Sequence, residues 1–309
     1  MSIRIAIALG LGLLLALPVA AQQKFRTPEA AMAALDAAMK AKDEGKKLDQ
    51  LLGPEFTAFH TSQREDRAQM QARFARFDAN YNEFHSLSGE GDRRTLVVGA
   101  EGFPFPFPLV KRGGRWAFDG KAGVEELRNR YVGANEINAV SVLDIIAAAQ
   151  LEYLAADQDG DGVVEYAPRI VSTPGNRDGL YWVTDPDDPD ATESPLALLA
   201  ALAEVLVGKR GEGEPFLGYH YHPLDGQGAA AKGGAWDYTI NGHQVAGFGA
   251  IAWPGVYGDT GVKTFVINQD GVIYEADLGP ESEAKAAAIT KFDPGEGWVA
   301  VNDEDFGAD

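Results

Sequence analysis

Between Asn135 and Ala156, apolar side chains return every three or four positions. Ala139, Val142, Leu143, Ile146, Ala149 and Tyr153 share one face of a helical wheel, while Ser141, Asp144, Ala148 and Glu152 share the opposite one. The pattern predicts an amphipathic helix with one face on a core. Gln150 falls in the middle of the apolar face. A buried amide there needs partners, and the backbone of the following loop is the nearest supply; leaving it unmet would cost about 1–3 kcal/mol.

Elsewhere the period changes along the chain. Thr27-Pro28-Glu29 is an N-cap with proline at the first helical position, and predicts an alanine-rich helix to about Asp43 with Ala30, Ala34, Ala37 and Ala41 on one side. A short helix is expected over Leu48–Leu52, stopped by Gly53-Pro54, and a third over Arg64–Phe77 with Met70, Phe74 and Phe77 at helical spacing. Strands follow at Arg94–Ala100, Phe103–Lys111 and Arg115–Asp119, the last two joined as a hairpin across Gly113-Gly114. In the Phe103-Pro-Phe-Pro-Phe-Pro run the prolines cannot donate to a ladder, so an edge strand or a polyproline-like segment is expected.

Towards the C-terminus, a helix is expected from Ser194-Pro195 and a strand at Tyr219-His-Tyr-His222. Trp236, Tyr238 and Ile240 alternate up to Asn241-Gly242, a strong hairpin turn signal, and Val245–Trp253 is the expected return strand. Val262–Ile267 and Val272–Glu275 complete an antiparallel meander, and Glu281 to about Thr290 forms a helix.

These elements describe an α+β chain. After a leader at residues 1–21, the length favours two domains, a small helix-plus-antiparallel-sheet domain over 22–132, cone-like in outline, and a second over 133–309. The leader has a charged start at Arg4, an apolar core over Ile5–Leu17, and small residues Val19-Ala20-Ala21 before a cut near Gln22, which is the layout of a secretory signal. The mature chain is then expected in the periplasm or secreted. No later segment reads as a membrane span after signal cleavage, the best being Leu196–Val207, which is short and carries Glu204.

Composition narrows the chemistry. The absence of cysteine excludes disulfides, thiolate metal sites and cysteine nucleophiles. The formal charge is −19, and losing Arg4 with the leader leaves −20, a surface that repels nucleic acid and anionic lipid and favours divalent cations or basic partners.

The sharpest chemical signal is Asp157-Gln158-Asp159-Gly160-Asp161-Gly162, directly after the amphipathic helix. Carboxylates at alternate positions followed by glycine suit a hard cation in a tight loop, and match the first, third, fifth and sixth positions of an EF-hand. Val163 would offer its carbonyl at the seventh position and Glu165 its carboxylate at the ninth, whereas Pro168 stands where the bidentate glutamate belongs. A calcium site would therefore borrow a carboxylate, with Asp185, Asp187, Asp188 and Glu193 as candidates. The same residues also make an ordinary solvated turn.

Other groups are weaker. His220 and His222 share one strand face and would start a zinc site if His243 joined them, or are plain surface histidines. Tyr257, Asp259 and Lys263 sit in a glycine-rich bend. In the first domain, His60, Asp66, Asp78 and His85 show no acid–base spacing that would support an enzyme.

Motifs spread over the chain, including Thr27-Pro-Glu-Ala-Ala31, Asn135-Glu136, Tyr219-His-Tyr, Gly261-Val-Lys-Thr-Phe265 and Phe292-Asp-Pro294, resemble an exported bacterial family catalogued as domain of unknown function 2950. The second domain also resembles, more distantly, the soluble portions of major pseudopilins and pilin-like domains, without their apolar polymerising helix. The family likeness carries no assigned activity and leaves function open; taken with the pilin-like likeness and the acidic loop, the expectation is a non-enzymatic binding or scaffold protein of the cell envelope with an envelope protein as partner. The alternative is an enzyme or small-molecule binder using an apolar cavity among the first domain's aromatic rings.

Overall fold

The computed structural model describes residues 22–41, 45–62, 67–184, 187, 192–200 and 214–302. The expected leader, Asp66, Asp185, Asp188, most of the helix expected after Ser194, and the side chains of His60, Met70 and Phe74 lie outside the described residues. Helices and mainly antiparallel sheets make up the chain, an α+β architecture. It divides into two compact units, Met1–Leu127 and Arg128–Asp309.

In the first unit, α1 (Pro28–Met39) starts where Thr27 accepts the Ala30 N–H at 3.2 Å. Its buried stripe is Ala31, Leu35 and Ala38, not the expected Ala30, Ala34, Ala37 and Ala41. Leu35 decides this, because turning the leucine inward removes more apolar surface from water than any all-alanine stripe. Helices α2 (Lys46–Leu52), α3 (Pro54–Ser62) and α4 (Arg67–Glu83) follow. Pro54 does end α2, but as the first residue of α3, where its missing N–H costs nothing.

Strands β1 (His85–Ser88), β2 (Arg93–Val98), β3 (Phe103–Pro104), β4 (Leu109–Arg112) and β5 (Arg115–Phe118) form one sheet in the order β1-β2-β4-β5, with β3 also on β2. The β4–β5 hairpin turns at Gly113 and Gly114, both with positive φ. The phenylalanine–proline run pairs for only two residues and then leaves the sheet. Phe105 and Phe107 drop into the core, within 5.4–6.0 Å (centroid to centroid) of Phe56, Phe77 and Phe118. These rings pack on one another as core.

Helix α5 (Gly120–Tyr153) has 34 residues and begins well before the expected Asn135. Asp119 accepts the Ala122 N–H at its start, and Gly123 is a packing position, since a Cβ there would meet the Phe107 ring at 1.9 Å. By length and composition α5 is apolar enough to cross a bilayer.

In the second unit every residue of the expected apolar stripe of α5 is buried and every residue of its polar stripe is exposed. The stripe lies on a sheet of β6 (Tyr219–Leu224), β9 (Gly249–Pro254), β10 (Lys263–Asn268), β11 (Tyr274–Asp277) and β13 (Val299–Ala300), ordered β13-β11-β10-β9-β6. Tyr219, Tyr221, Ala250, Ala252, Phe265 and Ile267 face that core. On the other face, Leu224, Ile251 and Val266 are covered by Ala286 of α6 (Ser282–Ala287) and Phe292 of β12 (Lys291–Phe292). Strands β9 and β10 are thus buried on both sides, which is why they read as unbroken apolar runs and not as alternating ones.

The meander holds for β9, β10 and β11 and fails before them. Asn241 (φ 53) and Gly242 (φ 93) do make the tight turn, with Ile240 and His243 exchanging backbone hydrogen bonds of 2.8 and 3.1 Å. Gly247, at φ 137, then carries the returning chain out of register. The strand expected over Trp236–Ile240 shortens to β8 (Trp236–Asp237), which joins β7 (Gly226–Gln227) and β12 in a separate three-stranded sheet, while the expected return strand Val245–Trp253 begins only at Gly249 as β9.

Candidate metal centre

The acidic loop is built from the end of α5 outward. Gln150, 4 % exposed, donates from Nε2 to the Ala167 carbonyl and accepts the Ala167 N–H on Oε1, both at 2.9 Å. The amide on the apolar face therefore clamps the far end of the loop, as its position requires. Gln244 adds a donation to the same carbonyl at 3.3 Å, and Tyr166 N–H donates to the Gln244 carbonyl at 3.0 Å.

Within that clamp Asp157 folds the bend. Its two oxygens accept N–H groups from Gly160 (2.8 Å) and Gly162 (2.9 Å), and the Gly162 N–H holds its carboxyl below the ordinary aspartate value. Gly162 itself sits at φ +94, the sharp turn an EF-hand-like loop needs at its sixth position. Asp159 accepts a long bond from Asp161 N–H at 3.4 Å. Its carboxyl is pushed up, first by burial and then by the neighbouring Asp161 and Asp157 charges. Oxygens of Asp157, Asp159 and Asp161 lie within 4.8 Å of one another.

Val163 enters through its N–H, which donates to Asp161 Oδ1 at 2.8 Å. Glu165 turns away from Asp157 and Asp159. It is 5 % exposed; its Oε2 accepts the Gln244 N–H, and its Oε1 stands 3.5 Å from His243 Nδ1. Asp161 Oδ2 is 3.1 Å from the same nitrogen. Asp161, Glu165 and His243 thus form a second group of donor atoms within 4.8 Å of one another, sharing Asp161 with the first. Among the described residues, neither Asp187 nor Glu193 joins either group.

His243 is the residue that sequence reasoning assigned to the wrong neighbours. It lies with the acidic loop, whereas His220 tilts against Trp253 with ring centroids 5.5 Å apart and His222 is exposed. The expected zinc start of His220, His222 and His243 does not assemble. Of the polar residues considered in the first unit, two are held by structural contacts: Asp78 pairs with Lys40 at 3.1 Å, and His85 stacks on Tyr81 at 4.0 Å.

The glycine-rich bend is also held by packing chemistry. Asn135 donates to the Thr260 carbonyl at 2.8 Å, and Glu136 Oε1 accepts the Val262 and Lys263 N–H groups at 2.9 and 3.0 Å. Tyr219 OH donates to the Lys263 carbonyl at 2.9 Å. Lys263 Nζ pairs with Glu275 at 2.9 Å and Tyr257 OH donates to Asp277 at 3.1 Å; Asp259 is exposed.

The model of the family described as protein of unknown function (DUF2950) matches residues 22–301. The chain belongs to this family. Several motifs that resemble DUF2950 prove to be one another's partners: Asn135-Glu136, Tyr219 and the Gly261–Phe265 segment meet at the bend just described. No curated protein and no solved structure matches the chain. The pilin-like likeness is not confirmed by these comparisons.

Proposed function

We propose that the protein is a non-enzymatic binding or scaffold component of the bacterial envelope, periplasmic or secreted, whose second unit is stiffened by calcium in the acidic loop. The carrying observation is the crowding of the Asp157, Asp159 and Asp161 oxygens within 4.8 Å on a loop whose backbone is already bent around them. Burial first, and then like charges so close, raise the Asp159 carboxyl, and a dication bound there relieves that repulsion. The Val163 carbonyl is the further oxygen the loop would offer, whereas Glu165, expected as a ligand from its place in the sequence, groups with Asp161 and His243 instead. Its clamp by Gln150 would pass that stiffening to α5.

The charge distribution supports the same reading. Residues 22–127 hold sixteen basic and sixteen acidic side chains, while 128–309 hold ten and thirty. The acidity belongs to the cation-binding unit and leaves the neutral first unit to contact an envelope protein. A long helix on an antiparallel sheet is compatible with a pilin-like head.

Calcium should raise the melting temperature of the mature protein, and chelator should reverse the rise. Replacing Asp157, Asp159 and Asp161 together with alanine should abolish it. Because Asp157 also folds the bend, Asp159→Ala alone separates loss of the ion from loss of the loop. A rise that survives both variants would put the ion elsewhere, and capture from native envelope with and without chelator reads the partner.

A further inference from the structure

Each carboxylate beside His243 has one oxygen tied down and one left over. Asp161 Oδ1 is fixed by the Val163 N–H and Glu165 Oε2 by the Gln244 N–H, and His243 is set by the Asn241-Gly242 turn, where its backbone is bonded to Ile240. The free atoms, Asp161 Oδ2, Glu165 Oε1 and His243 Nδ1, point to a common place. Backbone groups that orient first-sphere ligands in this way are what metal sites use to fix geometry.

His243 Nδ1 is itself shut off from solvent, and neither carboxylate contact has the alignment of a hydrogen bond. A proton shared with a carboxylate would need that alignment. The separations suit ligands of one ion instead. Two ligands about 2.1 Å from a metal stand about 3.0 Å apart at right angles and about 3.4 Å apart at the tetrahedral angle; the observed values are 3.1 and 3.5 Å. Glu165 adds a carboxylate more than nine-tenths buried whose Oε1 accepts no hydrogen bond from a described residue. Such a charge is costly to bury without a cation beside it.

We propose a second cation position formed by Asp161 Oδ2, Glu165 Oε1 and His243 Nδ1, which takes a transition-metal dication of the zinc class. This deepens the reading of the acidic loop and rests on it only in sharing Asp161. Imidazole nitrogen with two carboxylates suits such ions, whereas calcium prefers oxygen alone. The ion would cross-link the loop after α5 to the Asn241-Gly242 turn, two segments otherwise joined there by the hydrogen bonds of Gln244 with Glu165, Tyr166 and Ala167.

Titration of the mature protein with cobalt(II), followed by its visible ligand-field absorption and by competition with zinc, tests this directly. One equivalent should give a band that zinc displaces. His243→Ala and His243→Gln should weaken cobalt binding at least ~10-fold and alter the band, while retaining the calcium-induced rise in melting temperature. Asp159→Ala should do the reverse. Wild-type protein without a cobalt band, or a His243→Gln variant that binds cobalt as tightly with an unchanged band, would overturn the proposal. Wild-type protein that shows the cobalt band but no calcium-induced rise in melting temperature would instead sink the calcium reading and leave this position standing.

Discussion

Gln150 and Ala167 are joined by a closed pair of hydrogen bonds, side-chain amide to backbone amide, each 2.9 Å long. The ring they form pins the loop carrying Asp157, Asp159, Asp161 and Glu165 onto the helix that precedes it.

Gln150→Leu leaves the Ala167 N–H without its partner and its carbonyl with only the longer bond from Gln244. A loss of about 2–3 kcal/mol is expected, read as a lower urea midpoint with unchanged slope. A loss under half a kilocalorie, on the order of an ordinary surface change, would show that the clamp contributes little.

Gly261 is required by a close approach. A Cβ there would fall 2.2 Å from Tyr219 OH, which is bound to the Lys263 carbonyl. Gly261→Ala should cost about 1–3 kcal/mol through overpacking. Tyr219→Phe together with Gly261→Ala should recover part of it, and strict additivity of the two changes in thermal melts would argue against the contact.

Burial against the sheet face holds His220 below the ordinary imidazole value, with Glu283 opposing. The folded chain then binds its proton less readily than the unfolded chain does. The sign follows: stability should fall as pH drops below about 6.5, the unfolded value, and level off below the depressed folded value. His220→Gln should flatten that part of a stability–pH profile between pH 7.5 and 5, and an identical slope in the variant would assign it to another group.

On the solvent face of the first sheet, Arg112 faces Arg115 across the hairpin. The antiparallel Phe25–Trp116 bridge brings Arg26 opposite Arg115 from the other side. Three arginines in register repel, and only Arg112 has a carboxylate partner among the described residues, Asp119 at 3.1 Å. Arg115→Thr should raise the melting temperature at low salt, with the gain shrinking as salt screens the repulsion. A gain that does not depend on salt would point to strand propensity instead.

What could be read from the residues in order was local. The 3.6-residue stripe of α5, the demand of Gln150 for partners, the turns at Gly113-Gly114 and Asn241-Gly242, and the crowding of carboxylates at Asp157–Asp161 all follow from side-chain period and backbone freedom over a few residues. Tertiary packing decided the rest. It chose Leu35 over the alanine stripe of α1, buried β9 and β10 on both faces, and placed β8 in a different sheet from β9. Above all it brought Glu165 to the backbone of Gln244, 79 residues away, and with it His243 to the acidic loop. Nothing local encodes that meeting, because it depends on where a sheet and a loop come to rest against the same helix and not on the chemistry of either segment alone.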